Sequence, residues 1–478
     1  MKLKELLKDS AYSVVSGSED VEIAKIEIDS RKISKGDVFF ALTGLGADGH
    51  NYIEKAVSMG ATCVVAEREC ESFGATLVVC ENSRKMLAYA SANYYGHPAD
   101  KMRLIGVTGT NGKTTVTHII KRILDMKGAK VGLIGTNHYL VGDKELPSTG
   151  TTPEAMELHW IFKEMYDAGC EYVVMETSSH ALDLDRCLGL KFDVGVYTNL
   201  TQDHLNYHSD MENYASAKAK LFAMSRIAVL NSDDAWCKVM KKEASKVYTY
   251  GIEKNADMKA ENIEYSEKGV SFNWSFGNSR VPMKMAIPGK FSVYNALAGV
   301  GACAALGLGD EEIYKGLLMV RGVKGRAEVV PVNEKYTVMI DYAHTPDGIE
   351  NILNAVRGFV KNKIIIVFGC GGDRDRDKRP KMGASAARLA DFCVVTSDNP
   401  RTENPDDIIK DILPGLSGKE DKYKAITDRT EAIRYALSIA KEGDVVLLAG
   451  KGHETYQDIM GEKIHYDERE IVKEILEK

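Results

Sequence analysis

The chain has 478 residues, of which 44% are hydrophobic and 8% aromatic. At about 150 residues per domain, this length predicts roughly three domains, and the apolar content excludes a mainly disordered chain. Lysine and arginine total 62 against 69 acidic residues, which gives a net charge of −7. Because no basic excess is present, we expect no nucleic-acid partner.

The apolar runs and the cysteines indicate the cellular compartment of the protein. Residues 1–10 carry charges inside their apolar stretch, which favours an amphipathic helix over a signal peptide. No run approaches 18 apolar residues, so we expect no membrane insertion. The nine cysteines are scattered and form no CxxC pair, a distribution typical of reduced thiols. We therefore predict a cytoplasmic protein, and we expect a monomer.

The first 100 residues mix short strands with helices, which predicts a small mixed α/β domain over residues 1–100. The predicted elements are strands at 37–42 and 61–66 and helices at 52–59 and 83–95. Gly96-His97-Pro98 ends the last helix and predicts a linker.

Strands and helices then alternate over residues 101–324, which predicts a parallel, doubly wound sheet. The predicted elements are strands at 103–107, 131–134, 172–175 and 194–197 and a helix at 115–127. Residues 247–285 have the pattern of successive strands and predict an antiparallel insertion or edge.

Residues 325–478 predict a third, Rossmann-like α/β domain. The predicted strands are 336–340, 363–368, 392–395 and 445–448. Each ends in a loop that carries Gly, Asp or Asn, the place where open α/β sheets usually bind ligands. The predicted fold class is therefore α/β, with a small mixed domain followed by two larger α/β domains.

The segment Thr108-Gly-Thr-Asn-Gly-Lys-Thr-Thr115 lies between a predicted strand and a predicted helix, as a phosphate-binding loop requires. Its glycines allow backbone N–H groups to converge on phosphate oxygens, and the helix adds its positive end. Lys113 suits the β- and γ-phosphates, and the hydroxyl of Thr114 suits Mg²⁺. The strict GxxxxGK[ST] pattern would need glycine at Val107, so this loop differs from it by one place. We predict a central ATPase domain of the P-loop type.

Two further segments supply candidate metal ligands. Glu176 follows the strand 172–175, and a carboxylate at that edge could hold Mg²⁺. His204 and His208 follow the strand 194–197, but imidazole is an uncommon Mg²⁺ ligand. Spacing alone does not decide whether these histidines are ordinary loop residues, a zinc-binding pair or catalytic residues.

Three segments together resemble the Mur ligases and the related folylpolyglutamate synthetases. They are the loop 108–115, the strand end at Glu176, and Thr198-Asn-Leu-Thr-Gln-Asp-His204. The resemblance implies ATP as co-substrate and two Mg²⁺ ions. It implies Lys113, Glu176, His204 and Lys218 as catalytic residues and Thr114, Glu176, His204 and Lys218 as metal ligands. In the Mur ligases the lysine that matches Lys218 is carbamylated, which implies N6-carboxylysine here.

The loop Asp341-Tyr-Ala-His-Thr-Pro-Asp347 follows a predicted strand and is similar to a hallmark of the last domain of the Mur ligases. There the residue that matches Asp341 contacts the nucleotide. The implied ATP-binding residues are Gly109, Thr110, Asn111, Gly112, Lys113, Thr114, Thr115, Asn295, Arg326 and Asp341.

The segment Asp398-Asn399-Pro400-Arg401 predicts an Asx-Pro turn that displays Arg401, whose planar fork suits bidentate carboxylate recognition. Within the family, this segment resembles a meso-diaminopimelate signature, and lysine-adding relatives lack the arginine. Diaminopimelate has a second amino-acid head group, so its selection over lysine needs an additional carboxylate binder. The implied diaminopimelate-binding residues are Arg374, Asp398, Asn399, Pro400, Arg401, Gly450 and Glu454.

The resemblance extends to the amino-terminal domain, which implies binding of a UDP-linked substrate. The implied contacts are Ile28, Ser30, Leu45, Gly46, Ala47, Thr151, Thr152, Ser178 and Arg186. Two departures are Leu184, where some relatives carry a substrate-touching glutamine, and Ser292, where asparagine is frequent. We leave Leu184 out of the predicted site.

The resemblance implies a ligase of peptidoglycan precursor synthesis. It would add meso-diaminopimelate to the D-Glu γ-carboxylate of UDP-MurNAc-L-Ala-D-Glu through an acyl phosphate, with release of ADP and phosphate. The alternatives are an L-lysine-adding ligase of the same step, a folylpolyglutamate synthetase-like ligase and a silent nucleotide-binding switch. Residues 341–347 and 398–401 argue against the synthetase, and Glu176, His204 and Lys218 together argue against the switch.

Overall fold

The computed structural model describes residues 1–44, 47–266, 269–320, 322–332 and 335–477, which form three units in chain order. Each unit is built on its own sheet. The predicted α/β class with three such units is confirmed. The domain limits at residues 100 and 324 stay predictions.

The first unit contains a five-stranded sheet, described in the order β1-β5-β4-β3-β2, in which only the β1–β5 pair is antiparallel. Its strands are β1 Ser13–Ser16, β2 Ile26–Glu27, β3 Val38–Phe40, β4 Cys63–Ala66 and β5 Thr76–Val79. Its helices are α1 Leu3–Leu6, α2 Ile53–Ser58 and α3 Ser83–Tyr95, with a 3-10 turn at Gly49–Tyr52. The amphipathic helix predicted in residues 1–10 is only α1, which buries Leu3 and Leu6.

The second unit carries eleven described strands in the order β16-β15-β14-β13-β12-β11-β6-β10-β7-β8-β9. The strands are β6 Arg103–Thr108, β7 Val131–Ile134, β8 Tyr139–Val141, β9 Lys144–Leu146, β10 Tyr172–Glu176, β11 Phe192–Tyr197, β12 Ser225–Asn231, β13 Val247–Gly251, β14 Met258–Ser266, β15 Gly269–Phe276 and β16 Ser279–Met285. The helices are α4 Lys113–Met126, α5 Ala155–Asp167, α6 Ser179–Asp183, α7 Leu205–His208, α8 Met211–Ala223, α9 Cys237–Glu243, α10 Lys290–Ala305 and α11 Asp310–Leu318, and a 3-10 turn at Pro98–Lys101 precedes them.

The middle of this sheet is parallel from β7 to β14, as the alternating pattern predicts. The strands β14, β15 and β16 continue it as an antiparallel edge. The antiparallel edge predicted for residues 247–285 is therefore found from β14 onward, whereas β13 is parallel to both of its neighbours. The neighbours of β6 are β10 and β11, so the loops that follow these three strands meet at one sheet edge. This adjacency places the phosphate loop between the segments that carry Glu176 and His204.

The third unit has a six-stranded sheet in the order β17-β18-β22-β19-β20-β21, parallel except for β17. Its strands are β17 Glu328–Val330, β18 Thr337–Asp341, β19 Ile364–Phe368, β20 Phe392–Val395, β21 Tyr423–Ala425 and β22 Val445–Ala449, followed by the hairpin β23 Tyr456–Ile459 and β24 Glu462–His465. Its helices are α12 Pro346–Arg357, α13 Lys378–Leu389, α14 Pro405–Ile412, α15 Arg429–Ile439 and α16 Glu468–Leu476, with 3-10 turns at Leu413–Leu416 and Glu420–Lys422.

Contacts between the second and third units run through α10, which packs against both α4 and α12. Gly289 begins α10 with a φ of +96°, and a Cβ there would lie 2.3 Å from the Cβ of Ala355. The close approach at Gly289 therefore brings α12 of the third unit next to α10, which in turn packs on α4, the helix that follows the phosphate loop. Within the described ranges, no helix has both the length and the apolar character to cross a membrane.

A buried ion pair joins the loops of the third unit. The guanidinium of Arg429 lies 2.7 Å from Glu468, and both side chains are at most 1% exposed. Arg429 also donates to the carbonyl oxygens of Ser397, at 3.2 Å, and Ala449, at 2.9 Å. Arg429 thus ties the ends of β20 and β22 to α16.

We expect Arg429→Leu to lower the free energy of unfolding of the third unit by about 3–5 kcal/mol, because Glu468 would keep a buried, unpaired charge. Urea unfolding followed by hydrogen exchange measures the loss. Arg434→Leu on the same helix removes an exposed pair with Glu431, and its effect should stay within about 0.5 kcal/mol. Equal effects of the two substitutions would contradict a structural role for the buried pair.

Candidate active site

The phosphate loop joins β6 to α4 and depends on two glycines with positive φ. Gly109 has a φ of +147°, and a Cβ there would lie 1.9 Å from the Thr198 hydroxyl. Gly112 has a φ of +86°, and a Cβ there would lie 2.5 Å from Asn295 Oδ1. Because neither position has room for a side chain, the loop backbone stays close to its neighbours and exposed to an incoming anion.

The chain after β11 fixes the shape of the loop. The Thr198 hydroxyl donates to Asn111 O at 2.6 Å, and Asn199 Nδ2 donates to the same oxygen at 3.1 Å. Asn111 N donates to Asn199 Oδ1 at 3.0 Å, and Thr110 N donates to Asn199 O at 2.9 Å. This reciprocal bonding holds the loop without help from a ligand.

Two lysines converge on one carbonyl oxygen of the loop. Lys113 Nζ donates to Gly109 O at 3.0 Å and to Thr110 O at 2.8 Å, and Lys218 Nζ donates to Gly109 O at 2.9 Å. Burial lowers the pKa of Lys113. Burial and the charge of Lys113 lower the pKa of Lys218 well below its usual value. Lys218 is 1% exposed, and such burial favours the neutral form of its amine.

Glu176 ends β10 and is 1% exposed. Its carboxylate accepts hydrogen bonds from Thr136 N at 2.9 Å and from the Thr136 hydroxyl at 3.1 Å. Thr114, in the first turn of α4, is 3% exposed, and its hydroxyl accepts from Arg326 at 3.3 Å. A carboxylate and a hydroxyl are oxygen donors of the kind that Mg²⁺ prefers, so both residues fit the predicted ion.

His204 precedes α7 with a φ of +54°, and 47% of its side chain is exposed. Its ring centroid lies 4.8 Å from that of His180, and its Nε2 lies 3.4 Å from an oxygen of Asp203. Burial lowers the pKa of His204, which favours the neutral imidazole that a metal site needs.

His208 has a different environment from His204. It is 5% exposed, its Nε2 lies 2.9 Å from the Ser179 hydroxyl, and its ring stacks on Tyr214 at 5.0 Å. The described part of the chain contains no group of three or more His, Cys, Asp or Glu side chains that could hold a metal ion. The zinc pair of His204 and His208 stays one of the alternatives.

A cleft of about 560 Å³ lies between the phosphate loop and the third unit. Asn295, Arg326 and Asp341 line it, and so do the loop residues Asn111, Gly112 and Thr115. Arg326 lies 4.6 Å from the centre of the Tyr342 ring. The Asp341 carboxylate accepts from Ala327 N at 2.7 Å and Ala343 N at 2.8 Å, and burial raises its pKa. The three ATP-binding residues predicted outside the loop are thus brought together.

The residues predicted for the UDP-linked substrate fall into two groups. Thr152 accepts from Ser178 N at 3.0 Å through its hydroxyl, and its carbonyl oxygen accepts from Arg186 at 2.9 Å. The Thr151 hydroxyl lies 3.0 Å from that of Thr136, next to Glu176. Ser30, Ile28 and Ala47 belong to the first unit, where Ser30 is buried and Ala47 exposed. The predictions for Leu45 and Gly46 lie outside the described residues.

The segment 398–401 follows β20 and lies against the hairpin. Arg401 has a φ of +52°, its N–H donates to Asp458 O at 3.0 Å, and its guanidinium donates to Gly372 O at 2.6 Å. Asn399 Nδ2 donates to Glu454 at 2.8 Å, and burial raises the pKa of Glu454.

Asp398 and Gly450 also meet here. Gly450 has a φ of +115°, and a Cβ there would lie 2.4 Å from Asp398 Oδ2. That carboxylate oxygen is buried and has no hydrogen-bond partner among the described residues. Arg374 extends from the neighbouring glycine loop and is exposed. Arg401 and Arg374 approach each other at Gly371. An unpaired carboxylate oxygen and two guanidinium groups in the same unit suit a ligand that carries both an ammonium and a carboxylate.

A larger cleft of about 890 Å³ separates the second and third units. His204 lines it from the second unit, and Arg374 and His344 line it from the third. The candidate metal ligand and one candidate amino-acid binder therefore face the same space.

Comparison with known proteins identifies the family. Family models match residues 22–95 (Mur ligase family, catalytic domain), 107–303 (Mur ligase middle domain) and 325–452 (Mur ligase, glutamate ligase domain). The chain is also 47% identical over its whole length, and over the whole relative, to the UDP-N-acetylmuramoyl-L-alanyl-D-glutamate–2,6-diaminopimelate ligase of Clostridium tetani (strain Massachusetts / E88). The chain belongs to the Mur ligase family.

Solved structures of Mur ligases resemble this one over nearly the whole chain. A UDP-N-acetylmuramoyl-L-alanyl-D-glutamate–2,6-diaminopimelate ligase has 32% identity and a TM-score of 0.70, with 100% of this chain and 99% of that chain covered. The MurF ligase of Thermotoga maritima in complex with ADP has 21% identity and a TM-score of 0.63, with 96% and 98% covered, and it shares the fold.

Sequence reasoning did not single out three residues that hold this Mur ligase site. Thr136 bonds both oxygens of Glu176, Lys451 bonds Asn399 and Glu454, and Asp458 bonds the backbone of Arg401. Lys451 lies between two glycines in the loop after β22, which is a sequence signal, but neither Thr136 nor Asp458 has a sequence signal of its own.

We expect Thr198→Val to weaken ATP binding by about 10-fold, because Asn111 O would lose its 2.6 Å hydrogen bond and the loop its shape. Calorimetric titration with a non-hydrolysable ATP analogue measures the affinity. Ser225→Ala is the matched control, since it removes a buried hydroxyl at the opposite end of the sheet. An unchanged affinity in Thr198→Val would show that the loop does not need this brace.

Proposed function

We propose that this Mur ligase joins meso-diaminopimelate to the D-Glu γ-carboxylate of UDP-MurNAc-L-Ala-D-Glu in peptidoglycan precursor synthesis, using ATP. Full-length identity of 47% to a ligase named for this reaction supports the proposal. The observation that carries the amino-acid choice is Arg401, displayed beside Asp398, Glu454 and the glycine loop.

The phosphate loop and its cations fit ATP. Lys113 Nζ points into the loop, where it donates to the carbonyl oxygens of Gly109 and Thr110. With ATP bound, Lys113 and the loop N–H groups would stabilise charge on the γ-phosphoryl group as the D-Glu carboxylate attacks it. Asn295, Arg326 and Asp341 would hold the rest of the nucleotide in the 560 Å³ cleft.

We propose that the ligands of two Mg²⁺ ions are Thr114, Glu176, His204 and a carbamate of Lys218. When bound, the ions would neutralise phosphate charge and orient the γ-phosphoryl group. Lys218 as an amine is a poor ligand for a hard cation, whereas its carbamate offers oxygen. The lowered pKa of Lys218 supports this modification, because only a neutral amine reacts with CO₂.

The acyl phosphate would then meet the amine of diaminopimelate in the 890 Å³ cleft. We propose that Arg401 and Arg374 bind the distal carboxylate of diaminopimelate and that Asp398 and Glu454 bind its ammonium, with Asn399, Pro400 and Gly450 shaping the pocket. The unpaired oxygen of Asp398 supports this assignment.

The UDP-linked substrate would extend from the first unit to the phosphate loop. We propose that Ile28, Ser30 and residues 45–47 bind its nucleotide end. Thr151, Thr152, Ser178 and Arg186 would bind its muramoyl dipeptide. Hydrogen bonds of 3.0 and 3.1 Å connect Thr151 to Thr136 and Thr136 to Glu176. They support the proposal that the D-Glu carboxylate of the substrate lies beside the proposed metal site.

Cytoplasmic location and a monomeric state stay predictions, and the nine free cysteines agree with a reducing compartment. The L-lysine-adding ligase is the second candidate for the amino acid. No feature of the described residues favours it over diaminopimelate, and the selectivity assay below distinguishes the two.

We expect Arg401→Ala to lower kcat/KM for meso-diaminopimelate by about 10- to 100-fold, the scale of one charged hydrogen bond, with little change for L-lysine. ADP release with UDP-MurNAc-L-Ala-D-Glu and each amino acid measures the preference. Arg388→Ala is the control, since the side chain of Arg388 on α13 is 57% exposed and pairs with Glu350 of α12. If the variant kept the full preference for diaminopimelate, Arg401 would not select the amino acid.

We expect Lys218→Ala to lower turnover by at least about 100-fold, the scale of losing one group that stabilises transition-state charge. Lys220→Ala, two residues further along α8, removes only an exposed pair with Asp183 and should keep activity. Carbon-13 NMR after incubation with labelled bicarbonate should show a carbamate signal in the native protein and none in Lys218→Ala. Undiminished turnover without Lys218 would remove the carbamate from the site.

A further inference from the structure

His344 lies where the two clefts of the site meet. It follows β18 and lines both the 560 Å³ cleft proposed for the nucleotide and the 890 Å³ cleft proposed for the acceptor. Among the residues that the structure describes, Thr345 and Asp347 are the others that line both. The Thr345 hydroxyl accepts from Gly348 N, and Asp347 Oδ2 accepts three hydrogen bonds. His344 therefore has the side chain best placed to face both reactants.

The tautomer of His344 follows from its neighbour. Its Nδ1 lies 2.9 Å from the Tyr342 carbonyl oxygen. A carbonyl oxygen only accepts, so Nδ1 carries the hydrogen and Nε2 has a free lone pair. In the described part of the chain, no hydrogen bond to that Nε2 is found. His344 thus presents a proton-accepting nitrogen to the cleft.

The proposed reaction needs such a group. An amine that attacks an acyl phosphate becomes positively charged as its C–N bond forms, and it must lose a proton before the amide is complete. We propose that His344 is a further catalytic residue, the general base that accepts this proton at Nε2. This inference rests on the proposed function.

The proton balance is complete within the site. The C–N bond forms, Nε2 takes the proton from the nitrogen, and the C–O bond to phosphate breaks with its electrons on the phosphate. The imidazolium then returns the proton to the departing phosphate, which leaves as the hydrogen phosphate dianion.

The charged groups around His344 favour the neutral ring before the reaction and stabilise the protonated ring once it has formed. Desolvation in the cleft and the nearby charge of Lys378 lower its pKa, and Arg326 adds a smaller effect in the same direction. The ring is therefore neutral and ready to accept a proton near neutral pH. Asp203 faces it across the cleft and stabilises the imidazolium once it forms. Because a base works in its neutral form, its contribution is present above its pKa and is lost as pH falls through that value.

The test separates the two half-reactions in the full-length enzyme. We expect His344→Gln to keep ADP formation with UDP-MurNAc-L-Ala-D-Glu and hydroxylamine, because the nitrogen of the hydroxylamine adduct is acidic enough to lose its proton to water without a base. Aminolysis by meso-diaminopimelate should fall by about 100-fold or more, the scale of general base catalysis. The residual rate should also keep rising with pH, whereas the native rate levels off above the pKa of His344.

Matched variants keep the result interpretable. His465→Gln changes an exposed histidine of the same unit and should leave both half-reactions unchanged, and His344→Asn repeats the loss of the base with a shorter amide. Equal loss of the hydroxylamine and diaminopimelate reactions, or full aminolysis without His344, would overturn its role as base. If the native enzyme formed no ADP with this substrate, the proposed function itself would fail instead.

Discussion

The buried contact between the phosphate loop and Thr198-Asn199 is the constraint on which the rest of the site depends. Gly109 permits it, since a Cβ there would overlap Thr198 and Asn199, and Gly112 permits a second close approach, to Asn295. The loop is thereby fixed against the strand end of β11 rather than against a ligand. Because β10 and β11 flank β6, the same contact fixes the positions of Glu176 and His204 relative to the loop that would bind the nucleotide phosphates.

Electrostatics then explain why the site needs an anion. Lys113 and Lys218 both donate to Gly109 O, and Arg326 donates to Thr114 from the third unit. Two full charges on one carbonyl oxygen repel each other, so burial leaves Lys218 as the neutral partner. A bound polyphosphate would accept hydrogen bonds from Lys113 and Arg326. Because Lys113 belongs to the second unit and Arg326 to the third, these hydrogen bonds would draw the two units together.

Much of this architecture could be predicted from the sequence. The bounds of β7, β20 and α3 agree with the predicted ones, because buried apolar runs and clear helix ends mark them. The hairpin β23–β24 could not be predicted, since its residues are mostly exposed and it is positioned by backbone bonds to Arg401. The contact of Thr136 with Glu176 spans 40 residues and exists only because β7 and β10 are neighbours. Pairings of this kind depend on the sheet order, which local patterns do not contain.

The third unit connects amino-acid choice to nucleotide binding through backbone contacts. Gly450 N donates to Asp341 O at 3.0 Å, so the loop that shapes the Asp398 pocket is bonded to the strand end that faces the nucleotide. Arg429 holds Ser397 O and Ala449 O in the same buried cluster, which fixes β20 and β22 at that edge. Any movement of the third unit toward the phosphate loop must therefore carry the acceptor pocket with it. The residues proposed to bind the acceptor amine and Asp341, which lines the proposed nucleotide cleft, therefore lie on one edge of the third sheet, and His344 follows the same edge.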